Sequence, residues 1–196
     1  TYTVDWDIDG TSAGTSQSLD LTTTTAVRGQ RVTATITPTD GTGNGVTQSP
    51  GRDISNAPPQ ISNISLSPDP VYTNDLLTVS YATWDPDGDA TGVSTIEWFI
   101  NNQSQGTVFS TTLDGSVANG FDRGDVVSVN LTANDNQTPP ETQTDSITIT
   151  ISNSIPTAPG LYWMESSPSE GVDNLVCMVA TASNDHDGDT VSYSFS

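Results

Sequence analysis

Lysine is absent from this sequence, and only four arginines, Arg28, Arg31, Arg52 and Arg123, stand against 24 acidic residues, for a formal net charge of -20. A surface so poor in cations has little to offer a phosphate backbone or an anionic lipid, which excludes nucleic acid and anionic membranes as partners. A single cysteine, Cys177, rules out an intrachain disulfide framework. Histidine is equally scarce, since His186 is the only one and lies in an acidic stretch, and no base stands near Cys177 in the sequence. Nothing here activates a nucleophile, so the chain reads as a non-enzyme. No apolar run approaches the length of a membrane span and no basic, apolar leader opens the chain. A mature or internal segment without membrane insertion is the expectation.

What the sequence does contain is Thr, Ser and short runs in which Val and Ile alternate with polar residues. Apolar residues make up only 32%. That composition suits thin sheets with one wet face and one buried face. The acidic excess fits a high-salt medium or a calcium-loaded surface, and a merely solvated acidic face accounts for it equally well.

The chain repeats itself. Residues 28–40 (RGQRVTATITPTD) match residues 123–135 (RGDVVSVNLTAND) without a gap. Residues 3–9 (TVDWDID) match 95–101 (TIEWFIN), which puts Val4, Trp6 and Ile8 on one strand face and Ile96, Trp98 and Ile100 on another. Trp6 and Trp98 are thereby core anchors rather than sugar-stacking platforms. Residues 77–83 (LTVSYAT) match 175–181 (LVCMVAT), and both runs lead into an Asp-x-Asp-Gly-Asp loop. Cys177 takes the inward place of Val79 and is expected to pack as a small hydrophobe.

Proline-containing linkers at 56–59 and 153–159 divide the chain. Residues 56–153 form a complete domain with strands expected at 61–67 (A), 76–83 (B), 94–101 (C), 110–113 (E), 125–133 (F) and 145–152 (G). Residues 1–55 supply only strands C to G of a like domain, and residues 154–196 only A, B and the start of C. The two pieces together are as long as the central domain, as if a two-domain period had been cut inside a domain. The fold class is therefore all-β, in tandem immunoglobulin-like antiparallel β-sandwiches of Greek-key type.

The segment from Tyr81 through Trp84-Asp85-Pro86-Asp87-Gly88-Asp89 to Ile96-Glu97-Trp98, its counterpart from Ala182 through Asp185-His186-Asp187-Gly188-Asp189 to Tyr193, the Arg-Gly approach to strand F and the Asn/Pro linkers resemble polycystic-kidney-disease (PKD) and cadherin-like repeats of large microbial surface proteins. The resemblance implies seven-stranded sandwiches, an extracellular or cell-surface location, and a spacer, adhesive or carbohydrate-proximal role. It does not imply one ligand.

Asp85, Asp87 and Asp89 place three carboxylates in five residues, and Asp185, Asp187 and Asp189 repeat the arrangement. Calcium would relieve their repulsion, while an Asp-Gly turn capped by its own side chains is the competing reading. An EF-hand is excluded, because a loop starting at Asp85 would need its closing acid where Ile96 stands. Strand parity brings the B–C and F–G loops to the same end of a sandwich, so Asp135 is expected to join Asp85, Asp87 and Asp89. Asp40 is expected to join Asp185, Asp187 and Asp189 where the two half domains complete one another. Glycosylation motifs occur at Asn63, Asn102, Asn130 and Asn136, in a chain whose Ser and Thr content produces such motifs by chance.

The functional expectation is a structural repeat of a stalk, sheath, filament or adhesin, its domains joined head to tail and stiffened by calcium. Its partners would be further copies of the same repeat, reached by chain continuation or by strand complementation. A carbohydrate- or protein-binding module, or an accessory region of a secreted hydrolase, is the alternative.

Overall fold

The computed structural model describes the backbone of residues 1–195 and the side chains of all of these but Thr107 and Val108. In chain order the strands are β1 (Tyr2–Ile8), β2 (Thr11–Gly14), β3 (Arg31–Pro38), β4 (Gly51–Asp53), β5 (Gln60–Ser67), β6 (Leu76–Trp84), β7 (Gly92–Ile100), β8 (Gln103–Val108), β9 (Thr112–Asp114), β10 (Val126–Asn134), β11 (Thr142–Thr150), β12 (Gly160–Trp163) and β13 (Cys177–Thr181). One short 3-10 turn, Leu21–Thr23, is the only helical element among the described residues. The protein is all-β.

The chain divides into two compact units. The first comprises Thr1–Gln60 with Thr83–Gly92 and Ala133–Gln143, and the second comprises Ile61–Ala82, Val93–Thr132 and the chain from Thr144 onward.

Two sheets of the central region enclose the core of the second unit. One has the order β5-β6-β9 and the other β11-β10-β7-β8. Alternation along each strand turns every second residue inward, so Leu77 and Val79 from β6 meet Ile96 and Trp98 from β7 and Val127, Val129 and Leu131 from β10, all buried. Trp98 is fully enclosed, and its indole N–H donates to Ser110 O at 3.1 Å, which gives the one polar atom of that ring a partner. β8 is a strand that the alternation of apolar residues did not announce. Its residues are mostly polar, and it forms because Asn101 and Asn102, both at positive φ (49° and 64°), make a two-residue hairpin turn between β7 and β8.

The first unit repeats half of this plan. Its sheet runs β2-β1-β3-β4, the same order in which β8, β7, β10 and β11 lie. The β1–β2 hairpin again turns on two residues at positive φ, Asp9 (48°) and Gly10 (79°). Trp6 again donates from its indole nitrogen to a backbone carbonyl across the hairpin, Ser16 O at 2.8 Å. The turn before the third strand of this order is copied as well: Gly29 N donates to Ile54 O at 2.9 Å, and Gly124 N to Ile151 O at 3.0 Å.

Burial is where the copies part. Val4, Trp6 and Ile8 are only half-buried, and Ile36 is exposed, although their counterparts Ile96, Trp98, Ile100 and Leu131 are buried. The strand phase assigned to Trp6 matches that of Trp98, but its burial does not. Within residues 1–55 the described strands β1 to β4 make a single sheet, with no second sheet among them to face it. The last two strands form a sheet of their own. β12 pairs with β13 in an antiparallel ribbon with Leu161 opposite Val179 and Trp163 opposite Cys177. Cys177, expected in a core, is half-buried, because the ribbon has only two strands and Leu161, Trp163 and Leu175 are exposed.

Trp98→Ala should therefore cost about 3–5 kcal/mol of stability in urea unfolding. Trp6→Ala, which removes a half-exposed ring, should cost distinctly less in the same assay; equal losses would contradict this assignment of the core.

Candidate metal and joint loops

The B–C loop of the central region begins where β6 ends. Asp85 Oδ1 accepts the backbone N–H of Asp87 at 2.7 Å, and Gly88 N donates to Asp85 O at 3.1 Å, so the first aspartate closes a turn around its own side chain. Gly88 sits at φ 79°, a conformation that disfavours any residue with a Cβ, which accounts for the glycine inside the acidic motif. Asp87 is thereby aimed at the linker, where its Oδ2 accepts Ala57 N at 2.7 Å. Asp89 takes a different partner. Its carboxylate is paired with Arg28, Nη1 to Oδ2 at 2.6 Å, and Arg28 also donates from Nη1 to Asn56 Oδ1.

The second acidic loop is built alike, within the other unit. Asp187 N donates to Asp185 Oδ1 at 2.9 Å, Gly188 stands at φ 76°, and Asp187 Oδ2 accepts Ser154 N at 2.6 Å. Arg123 pairs with Asp189 and donates to Asn153 Oδ1 at 2.7 Å. Thr73 adds a hydroxyl to Asp187 Oδ1. Each loop thus ties a linker N–H and an arginine to its second and third aspartates, and the arginine in turn bonds a linker asparagine. Arg28 and Arg123 lie in the repeated run noted in the sequence, but their partners lie far along the chain, and no local pattern announces the pairing.

In each loop the three carboxylates bring one oxygen apiece to within 4.8 Å of the others, close enough to hold a metal ion. The turn is self-capped, and the carboxylates also converge closely enough that they could hold a metal ion. Asp85 separates them further. It is buried, and its Oδ2 has no hydrogen-bond partner. A buried carboxylate oxygen without a donor is costly, and a hard dication is the partner that such an oxygen best accepts.

Asp135 and Asp40 are not members of these carboxylate groups. Asp135 reaches the first loop through Asn56, whose Nδ2 donates to Asp135 Oδ2, while its Oδ1 accepts Gln137 N at 3.0 Å and Glu141 N at 3.1 Å. Burial is the largest influence on this carboxyl and opposes ionisation, but the bonds from Gln137, Asn56 and Glu141 together outweigh it and hold its pKa below the ordinary value. Asp187 behaves alike: burial raises its pKa, but the bonds from Thr73 and Ser154 with the charge of Arg123 outweigh it and hold the pKa below the ordinary value. Asp40 caps its own turn, accepting from the Thr42 hydroxyl and from Thr42 N and Gly43 N, which lowers its pKa to about 2.

Of the glycosylation motifs, Asn63, Asn102 and Asn136 are exposed and Asn130 is half-buried. Asn136 Nδ2 is already engaged, donating to Ala90 O at 3.0 Å. His186 is exposed in the second turn. No helix among the described residues is long and apolar enough to cross a membrane. A comparison with protein-family models and with curated proteins found no match to this chain.

Because the folded-state pKa values of Asp135 and Asp187 lie below those of the unfolded chain, their contribution to stability is present above the unfolded value, near pH 4, and lost as pH falls through the folded values. Urea unfolding followed from pH 6 down to pH 2 should therefore show a steeper acid loss for the unaltered protein than for Asp135→Asn; parallel curves would contradict the assignment.

Proposed function

We propose that this chain is a structural repeat segment of an extracellular surface protein or filament, a stalk, sheath or adhesin, whose immunoglobulin-like sandwiches are joined head to tail and stiffened at their joints by calcium. One observation carries the reading: the same joint is built twice. Arg28, Asn56, Ala57, Asp87 and Asp89 in one, and Arg123, Asn153, Ser154, Asp187 and Asp189 in the other, make matching ion pairs and matching bonds to the linker. A flexible tether needs no such bonds. Fixing a linker at each repeat sets the direction of the next domain, which is what a stalk or filament requires. The PKD-like and cadherin-like motifs of the sequence agree with this role.

Calcium would be held at the first joint by Asp85, Asp87 and Asp89, and at the second by Asp185, Asp187 and Asp189. The unpartnered Asp85 Oδ2 is the feature that favours a cation there. Bound, the ion would supply fixed positive charge between carboxylates that otherwise repel, in addition to the single guanidinium already present. A carbohydrate-binding role gains nothing from the exposed Tyr162 and Trp163, because consecutive residues of a strand face opposite sides and cannot form one stacking platform.

Calcium should raise the unfolding temperature of the unaltered protein, a chelator should reverse the rise, and Asp85→Asn should remove part of it; calorimetry that gives the same profile with calcium and with chelator would overturn the metal reading. Electron microscopy of native material should show extended filaments or stalks, and isolated compact particles would overturn the structural role.

A further inference from the structure

Resting on the calcium reading of the first joint, we infer that Arg28 is a tethered competitor of the dication, set against the same carboxylates, and that it holds the calcium affinity of this loop down. Arg28 Nη1 donates to Asp89 Oδ2 at 2.6 Å and Nη2 donates to Asp89 Oδ1 at 3.3 Å, so both oxygens of the third aspartate face the guanidinium. An oxygen of Asp89 also lies within 4.8 Å of one from Asp85 and one from Asp87. The fixed cation therefore borders the space that an ion would enter. That an ion is drawn there at all rests on Asp85, which is only 8% exposed and whose Oδ2 has no donor. Arg28, Asn56 and the three aspartates all belong to the first compact unit.

Arg28 is held in place and held charged. Gly29 N donates to Ile54 O at 2.9 Å and Ile54 N donates to Gln30 O at 2.8 Å, which pins the backbone beside it, and its Nη1 also donates to Asn56 Oδ1. A guanidinium keeps its proton at every ordinary pH. The side chains of Arg28 and Asp89 are 34% and 14% exposed, against 56% and 70% for the Arg31–Asp53 pair, so water and salt screen the charge of Arg28 less than that of Arg31. Three carboxylates facing one guanidinium leave two negative charges to attract an ion, whereas without the guanidinium charge all three would act. The affinity of oxygen-ligated calcium sites follows the charge of their ligands. A dication entering beside Asp85 thus meets an Asp89 already engaged and a positive charge behind it. Affinity lowered in this way lets the stiffness of the joint vary with the calcium around it, instead of saturating at the lowest concentrations.

The test titrates calcium chloride into the full chain and follows, by nuclear magnetic resonance, the amides of Gly88 and Gly188, which report the first and second acidic loops separately. Arg28→Gln removes the charge and keeps an N–H donor; it should lower the calcium dissociation constant read at Gly88 several-fold and leave the one read at Gly188 unchanged. Arg28→Lys, which keeps the charge, should stay close to the unaltered protein. An unchanged or weaker affinity in Arg28→Gln would overturn the competition and leave the calcium reading standing; a Gly88 amide of the unaltered protein that does not respond to calcium would overturn both. Should Arg28→Gln misfold, the reciprocal effect reads the same coupling in the unaltered chain, because a fixed charge that weakens calcium binding is itself held less firmly once calcium is bound. Exchange of the Arg28 guanidinium protons with water should then quicken several-fold at saturating calcium, and unchanged or slower exchange would overturn the competition.

Discussion

A β-sheet with one apolar face is stable in water only when something covers that face, and the organisation of this chain follows from where the cover is supplied. Burying a Val, Leu, Ile or Phe side chain contributes roughly 1.5–3 kcal/mol, and three or more strands with a packed face are needed before a sheet stands alone. The central region meets that condition inside one chain, with Leu77, Trp98, Val129 and Leu131 sealed between two sheets. The four-stranded sheet β2-β1-β3-β4 repeats the strand order and turns of its central counterpart but leaves Trp6 half-buried and Ile36 exposed. The β12–β13 ribbon, of two strands only, leaves Leu161 and Trp163 exposed.

In the proposed role, the acidic loops would set the direction in which one sandwich leaves another. Within five residues the first aspartate closes the turn, the second grips the linker backbone and the third holds an arginine from the turn before the preceding repeat's F strand. Spacing explains the division of labour. The glycine between the second and third aspartates lets the chain reverse, so that the three side chains converge while their backbone bonds point apart. Convergence is also what leaves Asp85 Oδ2 buried without a donor. Hydrogen bonding to the backbone uses one oxygen of Asp85 and one of Asp87, Asp89 turns both of its oxygens to Arg28, and of these carboxylates only Asp85 has an oxygen buried without a donor, Oδ2.

Strand phase was legible in the sequence because alternation is local. Val127, Val129 and Leu131 face the core as their spacing requires, and the strands expected within residues 56–153 agree with the observed ones to within a few residues at their ends, whereas the start of strand C expected after residue 181 is not a strand among the described residues. β8 was not legible, because Gln103 to Gly106 carry no apolar pattern and the strand exists through its hairpin turn and its pairing with β7. Burial was legible only where the chain contains both sheets: the spacing that orients Trp98 also orients Trp6, but spacing says nothing about what lies opposite. In the loops, the carboxylates were evident and their principal partners were not. Asn56 reads locally as a linker residue and Arg28 as part of a strand approach, and their joint role appears only when residues far apart in sequence are brought together.

The placement of the few cations completes the physical picture. In a chain with 24 acidic residues, dispersed arginines would do most to reduce general self-repulsion. Two of the four instead occupy equivalent positions at the two joints, each set against the third aspartate of its loop. Half-exposed ion pairs of this kind contribute little to global stability. Their effect is directional, because a guanidinium that bonds a linker asparagine and a loop carboxylate at once holds two segments in one orientation. One guanidinium does not neutralise three convergent carboxylates, so each loop keeps an excess of negative charge next to its fixed cation. A mobile dication would act on that excess without displacing the arginine from Asp89, since the unpartnered oxygen belongs to Asp85. The two cations would then have separate tasks, the covalently attached one setting the angle of the joint and the dissociable one setting its stiffness.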